Sequence, residues 1–272
     1  MDFVRLQTLV NAVVSRMDTA SKQELAKHQQ DLHAYLFSQL ATTIRKRKYK
    51  RGAEVWQLLE QGGSLISLSK AQLLQDIWVL FELDQKRNGF FVEFGAASGV
   101  SLSNTWMLEK HFGWTGILAE PNPEFHESLK ANRSCQISFD CVYKTTGDTV
   151  SFRCMDIGEF SGVSPVGADG AVEAEGWNAK FSVIRVPTVT LCDLLRRHGA
   201  PKVIDYMSID TEGSEFDILS GFDFDEWDVR VISVEHNMKP QREALFDLLS
   251  RHGYTRKFTA LSQFDDWYVR RP

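Results

Sequence analysis

The sequence has few of the residues that cross-link or break a chain: four cysteines and seven prolines in 272 residues. Cys135, Cys141, Cys154 and Cys192 form no C-x-x-C pair and keep no metal-type spacing with the seven histidines. That excludes a small disulfide scaffold and fits reduced, buried thiols in a cytoplasmic protein. Long hydrophobic runs are also missing. No window reaches the ~18 uninterrupted apolar residues of a membrane span, and Asp2 and Arg5 break any signal-peptide core. Charge of one sign is nearly absent as well: 31 Lys and Arg face 36 Asp and Glu, a net charge of −5, which argues against a general nucleic-acid binder. The local exception, the basic run from Arg45 to Arg51, reads more readily as a solvated helix end than as a phosphate-binding patch.

What is present suits a globular protein, with 43% hydrophobic, 11% aromatic and 25% charged residues, far from collagen-like, low-complexity or disordered compositions. Residues 1–88 carry helical spacing, as in Leu25, Leu32, Leu36 and Leu40, then Leu73, Leu74, Ile77, Leu80 and Phe81. They are expected to form an N-terminal helical extension, able to cap a site or pair two subunits, and to end at Asn88-Gly89. From Phe90 the pattern changes. Short apolar runs at 90–94, 115–120, 136–142, 203–210 and 229–237 alternate with amphipathic stretches near 100–112, 123–132, 190–198, 214–221 and 240–252. Strand and helix in alternation predict an α/β domain over 89–272, with a mainly parallel sheet covered on both faces. Residues 254–271 read instead as two β runs around a turn, an antiparallel hairpin on the sheet edge. Residues 145–155 suggest a small extra hairpin. The glycine-bearing stretch 156–180 reads as a long loop of the kind that forms a lid.

In such a sheet, ligands bind beyond the carboxyl ends of the strands near the point where strand order reverses. The first strand ends in Glu93-Phe94-Gly95-Ala96-Ala97-Ser98-Gly99-Val100-Ser101. A glycine turn leading into a helix lets a ligand approach backbone N–H groups. Against G-x-G-x-x-G, only Gly95 fits; Ala97 and Val100 stand where the second and third glycines belong. The second strand ends in Glu120, 25 residues after Gly95, followed by Pro121-Asn122-Pro123. An acid there can bind both ribose hydroxyls. A ribose without a pyrophosphate suits S-adenosylmethionine better than a dinucleotide. The expected cofactor contacts are Glu93, Gly95, Ala96, Ser98, Gly99 and Ser101 in the first turn, Glu120 and Pro121 after the second strand, Asp140 and Cys141 after the third, and Asp210. Asp140 is either an acceptor for an adenine amino group or a solvated turn residue. The fourth strand runs into Asp210-Thr211-Glu212-Gly213-Ser214-Glu215, in which Ser214 with Asp217 resembles a capping box and Glu215 suits a helix N-terminus. Asp210 and Glu212 remain to orient a ligand, bind a cation or take a proton. The fifth strand ends in Glu235-His236-Asn237, and His236 rivals Asp210 as the general base.

The elements FVEFGAASG, ILAEPNP, TVTLCDLL, SIDTEGSEFDIL and VEHN, in this order, resemble the FkbM family of methyltransferases over about residues 65–271. Many relatives read DVGAN where this chain has EFGAA, so Glu93 and Ala97 depart from the family pattern. The resemblance implies the class I, Rossmann-like methyltransferase sheet of seven strands with the last one antiparallel. It also implies S-adenosylmethionine as cofactor, and methyl transfer to a hydroxyl, often of a sugar, nucleotide sugar or glycan. A divalent cation held by Asp210 with Glu212 or Glu235 is compatible with this reading, but none is expected. Trp177, Phe181, Trp267 and Tyr268 could wall an acceptor site, although Trp267 and Tyr268 read better as packing within the hairpin. The competing readings are a nicotinamide-dependent oxidoreductase and a cofactor-binding relative without catalysis.

Overall fold

The computed structural model describes residues 54–155, 161–163, 181–259 and 261–270. The helices expected within 1–53, the basic run and Trp177 lie outside these residues, as does all of the expected lid except 161–163. The chain divides into two units after Leu68. In the described part of the first unit, α1 (Glu54–Gly62) buries Leu58 and Leu59 and carries Glu54 in its first turn, where the helix dipole favours an acid.

The second unit begins at Ser69, 20 residues before the boundary read from the sequence. The reason is packing. The helix α2 (Gln75–Glu82) stacks Trp78 on Trp267, with ring centroids 4.8 Å apart, and Gln75 Nε2 donates to Asp265 Oδ2 at 2.7 Å. Lys86 Nζ meets Asp205 Oδ1 at 2.6 Å. Residues 69–88 therefore belong with the sheet, against which Trp78, Gln75 and Lys86 are held.

The chain continues as β1 (Phe90–Phe94), α3 (Trp106–Phe112), β2 (Thr115–Ala119), α4 (Pro123–Asn132), β3 (Gln136–Ser138), β4 (Cys141–Val142), β5 (Thr149–Met155), β6 (Gly162–Val163) and β7 (Phe181–Val189). It ends with α5 (Leu191–Arg197), β8 (Val203–Ile209), α6 (Glu215–Ser220), β9 (Asp228–Glu235), α7 (Gln241–Arg251), β10 (Tyr254–Lys257) and β11 (Asp265–Arg270). Seven strands form one sheet in the order β10-β11-β9-β8-β1-β2-β3, in which β11 alone runs antiparallel, against both of its neighbours β9 and β10. The continuous apolar runs of β1, β2 and β8 are buried on both faces, as parallel strands require. Strand order reverses at β1, which pairs with β2 on one side and β8 on the other.

Three local expectations are corrected. The run 136–142 is two strands in two sheets: Ser138 Oγ accepts from Asp140 N–H at 3.3 Å and ends β3, while β4 pairs with β7. A four-stranded sheet in the order β4-β7-β5-β6 replaces the small hairpin. The helix after β1 starts at Trp106 rather than near 100, so no helix N-terminus follows directly on the Gly95 turn.

Candidate functional site

A cleft lies at the carboxyl ends of β1, β2 and β8. It is lined by Phe94, Gly95, Glu120 and Pro121 from the first two strand ends, by Asp210, Thr211 and Ser214 from the fourth, and by Cys141, Val142, Phe152, Ser161 and Val163 from the second sheet. This is the switch point at which open α/β sheets bind ligands.

The EPNP element sets one wall. Glu120 Oε2 accepts from Ala97 N–H at 2.8 Å and Oε1 from Asn122 N–H at 2.7 Å. These two bonds fix the carboxylate at the cleft wall. Asn122 then caps α4, its Oδ1 accepting from Glu124 N–H at 3.1 Å with Pro123 at the first helical position. Asn122 Nδ2 also donates to Ser161 Oγ at 3.3 Å, tying the second sheet to this corner.

Of the other expected cofactor residues, Gly95, Pro121, Cys141 and Asp210 line the cleft; Ala96, Ser98, Gly99, Ser101, Asp140 and Glu93 do not. Glu93 is buried and occupied. Its oxygens accept from Asn104 N–H at 2.7 Å, Thr105 Oγ1 at 2.5 Å and Ser103 Oγ at 3.1 Å, and Arg133 lies 3.6 Å away. These bonds hold 95–105 as an irregular loop and delay the helix. Ser98 Oγ accepts from Ser101 N–H at 3.4 Å, and the Gly99 carbonyl accepts from Arg133 Nη1 at 3.2 Å, so this part of the loop bonds internally and to Arg133. Asp140 pairs with Arg197 at 2.9 Å. Burial pushes the Cys141 thiol up to about 12, so it is a neutral wall of the cleft.

The ends of β8 and β9 bring three carboxylates together: carboxylate oxygens of Asp210, Glu212 and Glu235 lie within 4.8 Å of one another. Burial, then its acidic neighbours, raises Asp210 to about 7, against a hydrogen bond with Glu235 that favours its charged form. Burial and then Asp210 raise Glu212 to about 8 and hold Glu235 well above the usual carboxylate range. Such a group can share protons, hydrogen-bond hydroxyls or hold a cation. Asp265, opposite Glu235 in the sheet, is raised to about 7 by burial.

Glu215 does more than suit the helix dipole. It is buried, and its Oε1 accepts from Thr211 N–H, Thr211 Oγ1 and Gly213 N–H at 2.8–3.1 Å. This clasp sustains the turn in which Glu212 has φ 58°. No capping box forms, because Ser214 Oγ donates to Thr211 Oγ1 instead. From the second sheet, Gly162 sits directly over Glu212: a Cβ at 162 would lie 2.9 Å from Glu212 Cβ. The only sequence signal for that contact is the glycine itself.

His236 is not brought to the carboxylates. It lies one residue beyond Glu235 and so faces the opposite side of the sheet, where its Nε2 is 3.7 Å from Asp266 Oδ1 and its Nδ1 accepts from Met238 N–H at 3.0 Å. Trp267 and Tyr268 are buried in the hairpin, as the packing reading expects, and Phe181 opens β7 half-buried.

Among solved structures, the chain is similar to the precorrin-6y C5,15-methyltransferase of Geobacter metallireducens, at 12% identity and a TM-score of 0.38 over 71% of this chain and 85% of that one. It is also similar to the human methyltransferase 10 domain containing protein, at 11% identity and 0.40 over 80% and 95%. These likenesses say nothing about the acceptor. Among proteins of curated function, no sequence matches. The model of the methyltransferase FkbM domain matches residues 93–261, more than half of the chain and the whole stretch that builds the cleft from Glu93 to the turn after β10, so the chain belongs to the FkbM methyltransferase family.

Proposed function

We propose that the protein is an S-adenosylmethionine-dependent O-methyltransferase acting on a hydroxyl of a sugar, nucleotide sugar or glycan, as a cytoplasmic enzyme. The observation that carries the cofactor reading is Glu120, whose carboxylate is fixed by two backbone N–H groups at the cleft wall, at the end of the second strand where an acid can bind ribose hydroxyls. The residues present fit such a cofactor. Val142, Phe152 and Val163 offer an apolar surface for a base, and Asp210 offers negative charge to a cationic centre. When bound, the cofactor supplies an electrophilic methyl on a sulfonium.

The chain's own residues then position the acceptor and take its proton. The acceptor hydroxyl would have to be held close to and in line with that methyl, so positioning by these residues would supply much of the rate. The hydroxyl proton passes to a carboxylate oxygen of Asp210 or Glu212, whose raised pKa values near 7 and 8 suit a base near neutrality. His236 is disfavoured as that base because Nδ1 already accepts a hydrogen bond. Carboxylates that accept paired hydroxyl donors support the saccharide reading over a nucleic-acid acceptor. No cation is included in this step, and self-association through the N-terminal helices of residues 1–88 is a separate proposal resting on the sequence alone.

Thermal shift with S-adenosylhomocysteine and, separately, with NAD tests the cofactor: only the former should raise the melting temperature. A rise with NAD alone would sink the reading and favour the oxidoreductase. Release of S-adenosylhomocysteine on addition of free sugars, nucleotide sugars and glycans, with mass spectrometry of the product, tests the acceptor. Turnover only with a lipid, peptide or RNA would overturn the saccharide part.

A further inference from the structure

The loop after β9 is held in an uncommon conformation. Asn237 and Met238 are consecutive non-glycine residues with φ of 47° and 56°, a region disfavoured for L residues. The loop nonetheless meets the site: Asn237 Nδ2 lies 3.5 Å from Glu212 Oε2, and the Lys239 charge acts on the Glu212 carboxylate. Something must hold it there.

Backbone bonds from Asn237 N–H to the Phe264 carbonyl at 3.1 Å and from Lys239 N–H to the His236 carbonyl at 2.8 Å hold part of it, and the His236 side chain is in place to hold the amide between them. It is 2% exposed, and its Nδ1 accepts from Met238 N–H at 3.0 Å, closing the loop on itself. Its Nε2 makes no hydrogen bond among the described residues but faces Asp266 Oδ1 at 3.7 Å. Asp266 is itself fixed by Arg242 from α7 at 2.8 and 2.9 Å, by Arg256 from β10 at 3.0 Å and by the Tyr268 hydroxyl at 3.3 Å. The tautomer follows from donors and acceptors: a proton on Nδ1 would set two donors against each other, so the ring carries its hydrogen on Nε2, toward Asp266.

We propose that His236 is a positioning residue, a neutral strut between Asp266 and the Met238 amide that locks the 237–239 turn and so presents Asn237 and Lys239 to Glu212. The part concerning Glu212 rests on the methyltransferase reading of the cleft; the strut does not. Burial lowers the imidazole's affinity for a proton, in keeping with a ring that stays neutral.

Nitrogen-15 NMR of the full chain near neutral pH is expected to find His236 Nδ1 unprotonated and Nε2 protonated. The opposite tautomer, or an imidazolium, overturns the strut. His236→Asn keeps an acceptor near the Nδ1 position, whereas His236→Leu keeps bulk without one. Hydrogen exchange at the Met238 amide should quicken by about tenfold or more in H236L, the loss of one hydrogen bond, and stay near wild type in H236N. Equal rates in all three proteins, or no rescue by H236N, overturn it. The Glu212 carboxyl titration, followed by carbon-13 NMR, should shift in H236L and return in H236N; an unmoved midpoint in H236L overturns the link to Glu212. None of these readouts uses the cofactor, so a failure to bind S-adenosylhomocysteine would overturn the methyltransferase reading while leaving the strut standing.

Discussion

Glu120 Oε2 and the Ala97 amide, 23 residues apart in the chain, are joined at 2.8 Å, so the end of β2 and the turn after β1 hold each other in register. Ala97 has φ 45°, and the bond helps keep it there. Glu120→Gln has a specific consequence. One amide oxygen can still accept from Ala97 or Asn122, but the amide nitrogen must face the other N–H, donor against donor. The affinity for S-adenosylhomocysteine in calorimetry should fall about tenfold to a hundredfold, since a bond to a charged acceptor contributes roughly 1.5–3 kcal/mol. Unchanged affinity would remove Glu120 from the cofactor site.

Glu93 should behave differently, as a structural acid. It collects Asn104 N–H, Ser103 Oγ and Thr105 Oγ1 and neighbours Arg133, which also pairs with Glu109 at 2.7 Å. Glu93→Ala leaves these donors without their acceptor and removes one of the two acids beside the buried Arg133 guanidinium. Breaking a buried pair costs about 3–5 kcal/mol, a fall in melting temperature of roughly 6 °C or more for a domain of this size. Thermal denaturation checks this. A mutant as stable as wild type but unable to bind S-adenosylhomocysteine would restore Glu93 as a cofactor contact.

The carboxylate group makes stability depend on pH in a definite direction. Asp210, Glu212 and Asp265 have folded-state pKa values raised to about 7, 8 and 7, above unfolded values of about 4. The folded chain therefore holds more protons in between, and stability falls as pH rises through that window. Three histidines, His126, His198 and His236, are lowered by burial and act oppositely, losing stability only as pH falls below about 6.5. Between about pH 6.5 and 8 the carboxylates alone decide, so the melting temperature should drop across that interval and drop less in Asp210→Asn. A flat wild-type profile there would mean that the folded chain holds no extra carboxyl protons in that interval, against the raised values of these acids.

How far the sequence already carried this depends on whether a feature is local. The EPNP corner was legible because an Asn cap and a proline at the first helical position act within one turn. The terminal hairpin was legible from its β runs. The start of α3 was not: Glu93 overrides the helical pattern of 100–105 through bonds to residues 10–12 positions away. The break between β3 and β4 carries no proline or glycine, so the apolar run concealed it. Of the candidate site, Glu120 and Asp210 could be read from strand ends, but the role of Glu215 and the side to which His236 turns depend on pairings that no spacing encodes.

The same limit applies to Gly162, whose importance comes from what lies beneath it. With β6 paired to β5 at Arg153 and Phe152, the backbone of 162 rests on the Glu212 turn, and a Cβ there would lie 2.9 Å from Glu212 Cβ and 3.3 Å from the Thr211 carbonyl. Neither neighbour can yield easily, since Glu212 already has φ 58° and Thr211 is clasped by Glu215. Gly162→Val should therefore lift β6 off the turn at a cost of about 1–3 kcal/mol, typical of overpacking. Lifting it also opens Glu212 to water, and burial is the largest cause of that residue's raised pKa. The carboxyl titration of Glu212 should then move toward the ordinary carboxylate range, and the alkaline loss of stability should shrink with it. If G162V keeps both the wild-type melting temperature and the wild-type Glu212 titration, the second sheet does not bear on Glu212.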